Sequence, residues 1–256
     1  MVFILDPSGI ICLIATYGAV IYADYVVIRW IIIVAMPLSI WAPFHVVVFH
    51  AIVLLVFMSH SKAVFTDPGI VPLLSNRPDF SDLEPGMSHH SEWTVCSRCE
   101  MYRPPRVHHC TTCQRCIRRM DHHCPWINNC VGENNQKYFL QFLFYAAMLS
   151  FYSVALVLGS WVSPSTECNQ IVKETQWMHT LILMLESAFF GLLASFILMD
   201  QLYAILHDET TVEAIQHKGP YRPHLSKYQL LTEVFGPEHP MLWLLPCSKL
   251  NHSEDV

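Results

Sequence analysis

Four long apolar runs leave this chain little choice of architecture. They extend from Gly9 to Val34, Ile40 to Met58, Tyr138 to Trp161 and Met178 to Tyr203, each near or above the ~20 residues that cross a ~30 Å hydrocarbon layer as a helix. Charged residues make up only 14% of the chain, against roughly 25% in a soluble domain. The expected fold is an all-α polytopic membrane protein with four transmembrane helices. The first run is read as a span rather than a signal peptide, because no basic segment precedes it and no small-residue cleavage pattern ends it. Asp24 and Arg29 within it are expected to snorkel at the far interface. Glu186 in the fourth run is expected to face protein or water rather than lipid.

Orientation follows from the basic residues. Nine of the fifteen Lys and Arg fall between Lys62 and Lys137, whereas the loop from Ser163 to Trp177 has only Lys173. The basic segment is therefore assigned to the cytosol. An even number of spans puts both termini there too, in agreement with Lys218, Arg222, Lys227 and Lys249 in the tail. The layout is spans one and two over 1–62, a linker over 63–95, a cysteine-rich unit over 96–130, spans three and four over 131–206, and a cytosolic tail over 207–256. A net charge of −6 gives no sign of a nucleic-acid partner.

Seven of the ten cysteines lie between Cys96 and Cys130, a density that argues for metal rather than disulfides in a reducing compartment. Cys96, Cys99, His109 and Cys116 form one set, and Cys110, Cys113, His123 and Cys130 form the same set shifted by fourteen residues. Each Cys₃His set suits a closed, tetrahedral structural zinc ion. Because the sets interleave, the two ions must cross-link one unit, which is expected to unfold without metal. Counting Cys124 as a ligand in place of Cys110 or Cys130 breaks the repeat.

The repeat leaves Asp121, His122 and Cys124 without a metal. A thiol beside a histidine and a carboxylate is an arrangement for nucleophilic catalysis: His122 takes the thiol proton, and Asp121 fixes its tautomer. Positive charge from His122, and from Arg118 or Arg119, would favour the thiolate. The bland reading is a zinc knuckle with an idle cysteine. The position of Cys124 near the start of the third span favours chemistry at the membrane surface.

Asp121-His122-His123-Cys124, inside the full pattern from Cys96 to Cys130, closely resembles the DHHC family of protein S-acyltransferases. Asp67-Pro68-Gly69 is similar to the family's DPG motif, Thr210-Thr211-Val212-Glu213 to its TTxE motif, and Val234-Phe235-Gly236 to part of its C-terminal segment. The resemblance covers nearly the whole chain and is nearest to the Golgi-type subgroup. It implies transfer of a palmitoyl-length acyl group from acyl-CoA, through a thioester on Cys124, to cysteines of membrane-associated proteins. It also gives Thr211 the job of holding Asp121, lines the mouth of an acyl-chain cavity with Trp126, Phe139 and Phe142, and puts Leu149 near its end. Asp67-Pro68-Gly69 serves equally as a helix stop, and Thr210 with Glu213 as a capping box. The family's usual asparagine before Val-Phe-Gly is Leu230 here, so Gln229 or water replaces it or the tail packs differently. Leu225, Tyr228, Leu231, Val234 and Phe235 recur at the spacing of an amphipathic helix lying on the membrane.

Other residues have plainer expectations. Cys12, His45 and His50 are read as packing, Cys168 as an unpaired thiol, and His89 and His90 as solvated. Cys247 beside an apolar stretch is a candidate for lipidation. Two competing functions remain, a membrane-tethered zinc adaptor without catalysis and a metal transporter. The spans are too poor in paired carboxylates and histidines to offer the second an ion path.

Overall fold

The computed structural model describes residues 3–72, 93–162 and 169–246. The expectations for His89, His90, Cys168 and Cys247 fall outside them. Four helices are long and apolar enough to cross a membrane: Pro7–Ala35, Ala42–Phe65, Gln136–Val162 and Gln170–Leu206. The first is an α-helix over Pro7–Val26 (α1) that continues in wider π-type turns over Val27–Ala35. The others are α2 (Ala42–Phe65), α3 (Gln136–Val162) and α4 (Gln170–Leu206).

Two of these helices outrun the apolar stretches that announced them. α2 goes on past Met58 through Ser59, His60, Ser61 and Lys62, because these residues pack under the cysteine-rich unit and so need not be apolar. The first two turns of α4 are polar, but Asn169 caps them by accepting from the Ile171 amide at 3.0 Å. α1 opens in the same way, with Asp6 accepting from the Gly9 amide at 2.8 Å and Pro7 in the first turn. The shared core joins Val27 and Ile31 from the first span, Phe49 and Val56 from α2, Phe139 and Val157 from α3, and Leu183 from α4. Where α3 and α4 approach most closely, a Cβ on Gly191 would lie 2.8 Å from that of Ser150, the small-residue contact that lets helices meet in lipid.

Several polar groups inside the spans have partners. His50 Nε2 is 3.4 Å from Asp24 Oδ1, His45 Nδ1 is 2.7 Å from the Tyr152 hydroxyl, and His179 Nδ1 is 3.0 Å from the Tyr22 hydroxyl. Asp24 thus links α1 to α2. Arg29 lies 5.0 Å over the ring of Trp30.

Between α2 and α3 the described residues make three antiparallel hairpins: β1 (Thr94–Cys96) with β2 (Met101–Arg103), β3 (Val107–Cys110) with β4 (Arg115–Arg118), and β5 (His122–Cys124) with β6 (Asn129–Val131). After α2, Asp67 accepts from the amides of Gly69 and Ile70 at 2.8 and 2.7 Å, with Gly69 at φ +107°. Asp67-Pro68-Gly69 thereby stops the helix and turns the chain onto β4, where the Arg118 amide donates to the Gly69 carbonyl at 2.8 Å.

Two short helices, α5 (Thr211–Ile215) and α6 (Lys227–Phe235), bring the tail back to the hairpins. Thr210 and Glu213 form the expected capping box on α5. α6 does not present the expected stripe to a membrane. Leu230 and Val234 are its buried residues, packed with Leu140 of α3 and Ile205 of α4, while Tyr228 is 58% exposed. Gln229 instead caps α6 at Ser226, so an apolar contact occupies the place of the family's asparagine.

The tail is fastened to the hairpins by charge. Arg106 donates to both carboxylate oxygens of Glu213 at 2.8 Å and to Asp208 at 2.6 Å, and Arg222 bridges Asp208 and Glu233 at 2.8 and 2.7 Å. The side chains of Asp208, Glu213 and Arg106 are only 1%, 4% and 9% exposed. Burial alone would raise the pKa of Asp208 and Glu213, but hydrogen bonds from Arg222 and Arg106 to Asp208, and from Arg106 to Glu213, hold both below their usual values. A depressed folded value means stability that is present above the ordinary carboxylate range and lost as pH falls through it. Arg106→Ala strands these carboxylates, and thermal unfolding in detergent should fall by the equivalent of about 3–5 kcal/mol. The same variant should lose less stability than the parent between about pH 5 and pH 3, because the acid-sensitive contact is already gone.

Candidate active site and metal centres

Register explains the metal-ligand pattern. His109 faces Cys116 across β3 and β4, and His123 faces Cys130 across β5 and β6. Each such pair meets two cysteines from the preceding hairpin, one at the end of its first strand and one in its turn: Cys96 and Cys99 for the first group, Cys110 and Cys113 for the second. The middle hairpin serves both groups, which is why the ligands interleave. Within each group the ligand atoms lie within 4.8 Å of one another. Contacts include Cys99 Sγ to His109 Nδ1 at 3.2 Å, Cys113 Sγ to His123 Nδ1 at 3.4 Å and Cys113 to Cys130 at 3.4 Å. A tetrahedral ion with Zn–S of ~2.3 Å and Zn–N of ~2.0 Å has edges of roughly 3.6–3.8 Å, so both groups fit a metal of that size.

The hairpins repeat three times, not two. Cys96, Cys110 and Cys124 fall fourteen residues apart, each at the end of a first strand, and are paired with Met101, Arg115 and Asn129. Glu100, Gln114 and Asn128 take the left-handed backbone of the turn at φ 51°, 54° and 46°. At the second cysteine position the third turn has Ile127, which is fully buried. No fourth hairpin follows, since α3 begins at Gln136. Cys124 therefore occupies a ligand position for which the fold supplies no partners. The fourteen-residue spacing of Cys96, Cys110 and Cys124 could have been read from the sequence, and it is the signal that the two-set reading passed over.

Cys124 is 5% exposed and precedes a single 3₁₀ turn, Pro125–Ile127. His122 Nδ1 is 2.6 Å from Asp121 Oδ2. Asp121 is 1% exposed and also accepts from Gln201 Nε2 at 2.8 Å, from the Thr211 amide at 2.8 Å and from the Thr211 hydroxyl at 3.0 Å. Burial opposes the Asp121 charge, but the bonds from His122, Thr211 and Gln201 outweigh it and hold the carboxyl below its usual range. A carboxylate can only accept, so the His122 proton sits on Nδ1 and leaves the Nε2 lone pair free. Burial likewise opposes charge on His122, yet its hydrogen bonds with Asp121 and Cys124 push it up to about 9. The group can therefore accept a thiol proton and hold it as imidazolium.

The other expected residues fall as follows. Trp126, Phe139, Phe142 and Leu149 line one cavity between the spans, and Cys124 is on its wall. Thr211 reaches Asp121, as the TTxE resemblance implied. Arg119 does not serve the thiol: its guanidinium lies 3.4 Å from Glu233 and 3.8 Å from Asp208. Three further contributors carried no signal in the sequence. Gln201 reads as an ordinary polar residue near a helix end. His60 is fully buried on α2, with Nε2 3.0 Å from the Trp126 carbonyl and Nδ1 3.2 Å from the Tyr17 hydroxyl. It fixes the turn after Cys124 from below. Asn129 donates to the carbonyls of Ala63, Val64 and Thr66 at 3.0–3.3 Å, closing the end of α2.

A DHHC palmitoyltransferase family model matches residues 89–218. The chain belongs to this family. It is 34% identical to palmitoyltransferase ZDHHC3 of Homo sapiens over 96% of this chain and 83% of that one. It is also 32% identical to palmitoyltransferase ZDHHC7 of Rattus norvegicus, over 95% and 80%, and 34% identical to probable protein S-acyltransferase 12 of Arabidopsis thaliana, over 93% and 85%. The DHHC tetrapeptide of this member thus combines one residue of a metal group, His123, with three that the metal groups leave free. Purified protein should carry two metal ions per chain by elemental analysis. Cys124→Ser should keep both and Cys116→Ser should lose at least one; loss of metal from the first variant would overturn the assignment.

Proposed function

We propose that this chain is a protein S-palmitoyltransferase that carries the acyl group as a thioester on Cys124. One observation supports it above the rest: an unclaimed, buried sulfur beside an Asp121–His122 pair, on the wall of an apolar cavity between membrane-length helices. His122 Nε2 takes the Cys124 proton, the thiolate attacks the thioester carbonyl of acyl-CoA, and the departing CoA thiolate takes that proton from the imidazolium. In the second step a cysteine of a membrane-associated protein loses its proton to His122 and attacks the acyl-enzyme. Cys124 leaves as thiolate and recovers the proton. Asp121 orients the ring and stabilises its charge in both steps, and Gln201 and Thr211 hold Asp121.

Zinc in the two Cys₃His groups is structural: it cross-links the hairpins that present Cys124. The hairpins and both termini lie in the cytosol, in keeping with the basic residues between α2 and α3, and the subgroup resemblance favours the Golgi. The nucleotide of CoA stays in water while each buried methylene of the tail contributes about 0.8 kcal/mol, which suits a nucleophile at the mouth of a cavity within the spans. Trp126, Phe139 and Phe142 line that mouth, and Leu149 lies deeper, consistent with a chain of palmitoyl length.

Purified protein given labelled palmitoyl-CoA should gain a hydroxylamine-sensitive label that is absent from Cys124→Ser. Absence of label from the parent itself would leave a zinc adaptor as the better reading. His122→Ala should slow labelling by about 10²-fold or more with metal retained, whereas His123→Ala should release metal and unfold the hairpins. Metal loss from both would reverse the roles assigned to the two histidines.

A further inference from the structure

The cavity beside Cys124 changes character with depth. On α3 its wall runs through Phe139, Phe142, Leu143, Ala146 and Leu149 and then turns to Ser150 and Ser153. On α4 it runs from Ile197 through Ala194, Leu193 and Phe190 to Ser187 and Glu186. The two changes occur at one level, because Gly191 packs on Ser150 and Glu186 lies five residues beyond it, away from the hairpins. Ser150 and Ser153 are roughly 16 and 21 Å of helix rise past Phe139. The far end of a palmitoyl-length chain starting at Cys124 comes to this level.

A carboxyl group in a membrane span is costly and is kept where it meets protein, water or substrate. Glu186 has no hydrogen bond or ion pair among the described residues, although it lines the cavity. The Ser153 hydroxyl already donates to the Leu149 carbonyl at 2.8 Å, which leaves its oxygen free to accept. An unsubstituted methyl terminus satisfies none of these groups. A terminal hydroxyl can donate its one proton to Glu186.

We propose that Glu186, with Ser153 and Ser187, forms a polar subsite at the end of the cavity away from the hairpins that accepts acyl chains hydroxylated at or near their terminus. The subsite rests on the acyl-transfer reading and extends it to a second class of donor, an ω-hydroxyacyl-CoA. Glu186 determines which chain is preferred, and Asp121, His122 and Cys124 carry out the transfer unchanged.

The test compares self-acylation of the detergent-purified, metal-loaded protein by palmitoyl-CoA and by ω-hydroxypalmitoyl-CoA. The parent should use the hydroxylated thioester with a kcat/KM at least equal to that for palmitoyl-CoA. Glu186→Leu should lower the hydroxylated-to-unsubstituted ratio by about tenfold or more, the loss expected from one hydrogen bond to a desolvated carboxyl. Glu186→Gln, which keeps an acceptor oxygen, should hold the ratio within about threefold of the parent, and metal content checks the folding of both. A parent labelled by palmitoyl-CoA alone, or a ratio that Glu186→Leu leaves unchanged, overturns the subsite and leaves acyl transfer standing. Label from neither thioester overturns acyl transfer and the subsite with it.

Discussion

The third hairpin ends the series without a partner, and this is what the site depends on. Each hairpin offers a cysteine at the end of its first strand, and the next hairpin completes the metal group with a histidine–cysteine pair. Cys96 and Cys110 are claimed in this way, but after Cys124 the chain enters α3. The strand geometry that holds a ligand sulfur in place therefore holds one with no metal to bind. With metal bound, the two preceding groups would each tie one hairpin to the next. The sulfur stays a free thiol on the wall of the cavity.

A positioned thiol does little unless the base beside it is also fixed, and here the membrane helices and tail contribute. Asp121 draws bonds from α4 through Gln201 and from the start of α5 through Thr211. α5 is itself held by Arg106, which lies just before the middle hairpin. The hairpins thus organise the tail through Arg106, and the tail returns the favour through Thr211. Loosening either link lets the Asp121 carboxylate find water and releases the ring of His122. This coupling accounts for a TTxE segment far from Asp121 in sequence but in contact with it in space.

The four spans, both metal groups and the free triplet were legible in the sequence, since each depends on local composition or on a fixed spacing. Asp67 and Thr210 were legible as a stop and a cap for the same reason. Gln201, His60 and Asn129 were not, because each acts on a partner at least sixty residues away and nothing in its neighbourhood marks it. The contact of Asp24 with His50 was illegible for the same cause, since the partner lies on another helix. The apolar face of α6 was misread because periodicity reports a stripe but not what covers it, and here Leu140 and Ile205 do.

Leu230 bears on how the tail is anchored. An asparagine at that place would satisfy backbone groups by hydrogen bonds, and the leucine satisfies none. The first turns of α3 bond the tail directly: Lys137 Nζ donates to the Phe235 carbonyl at 2.7 Å, Gln141 Nε2 to that of Trp243 at 2.7 Å, and the Tyr145 hydroxyl to that of Leu244. Three carbonyls of the tail are thus met by side chains one turn apart on a single helix, while Trp243 stacks on Phe235 at 5.3 Å. The apolar contact of Leu230 and the polar ladder on α3 together hold the tail that carries α5 to Asp121.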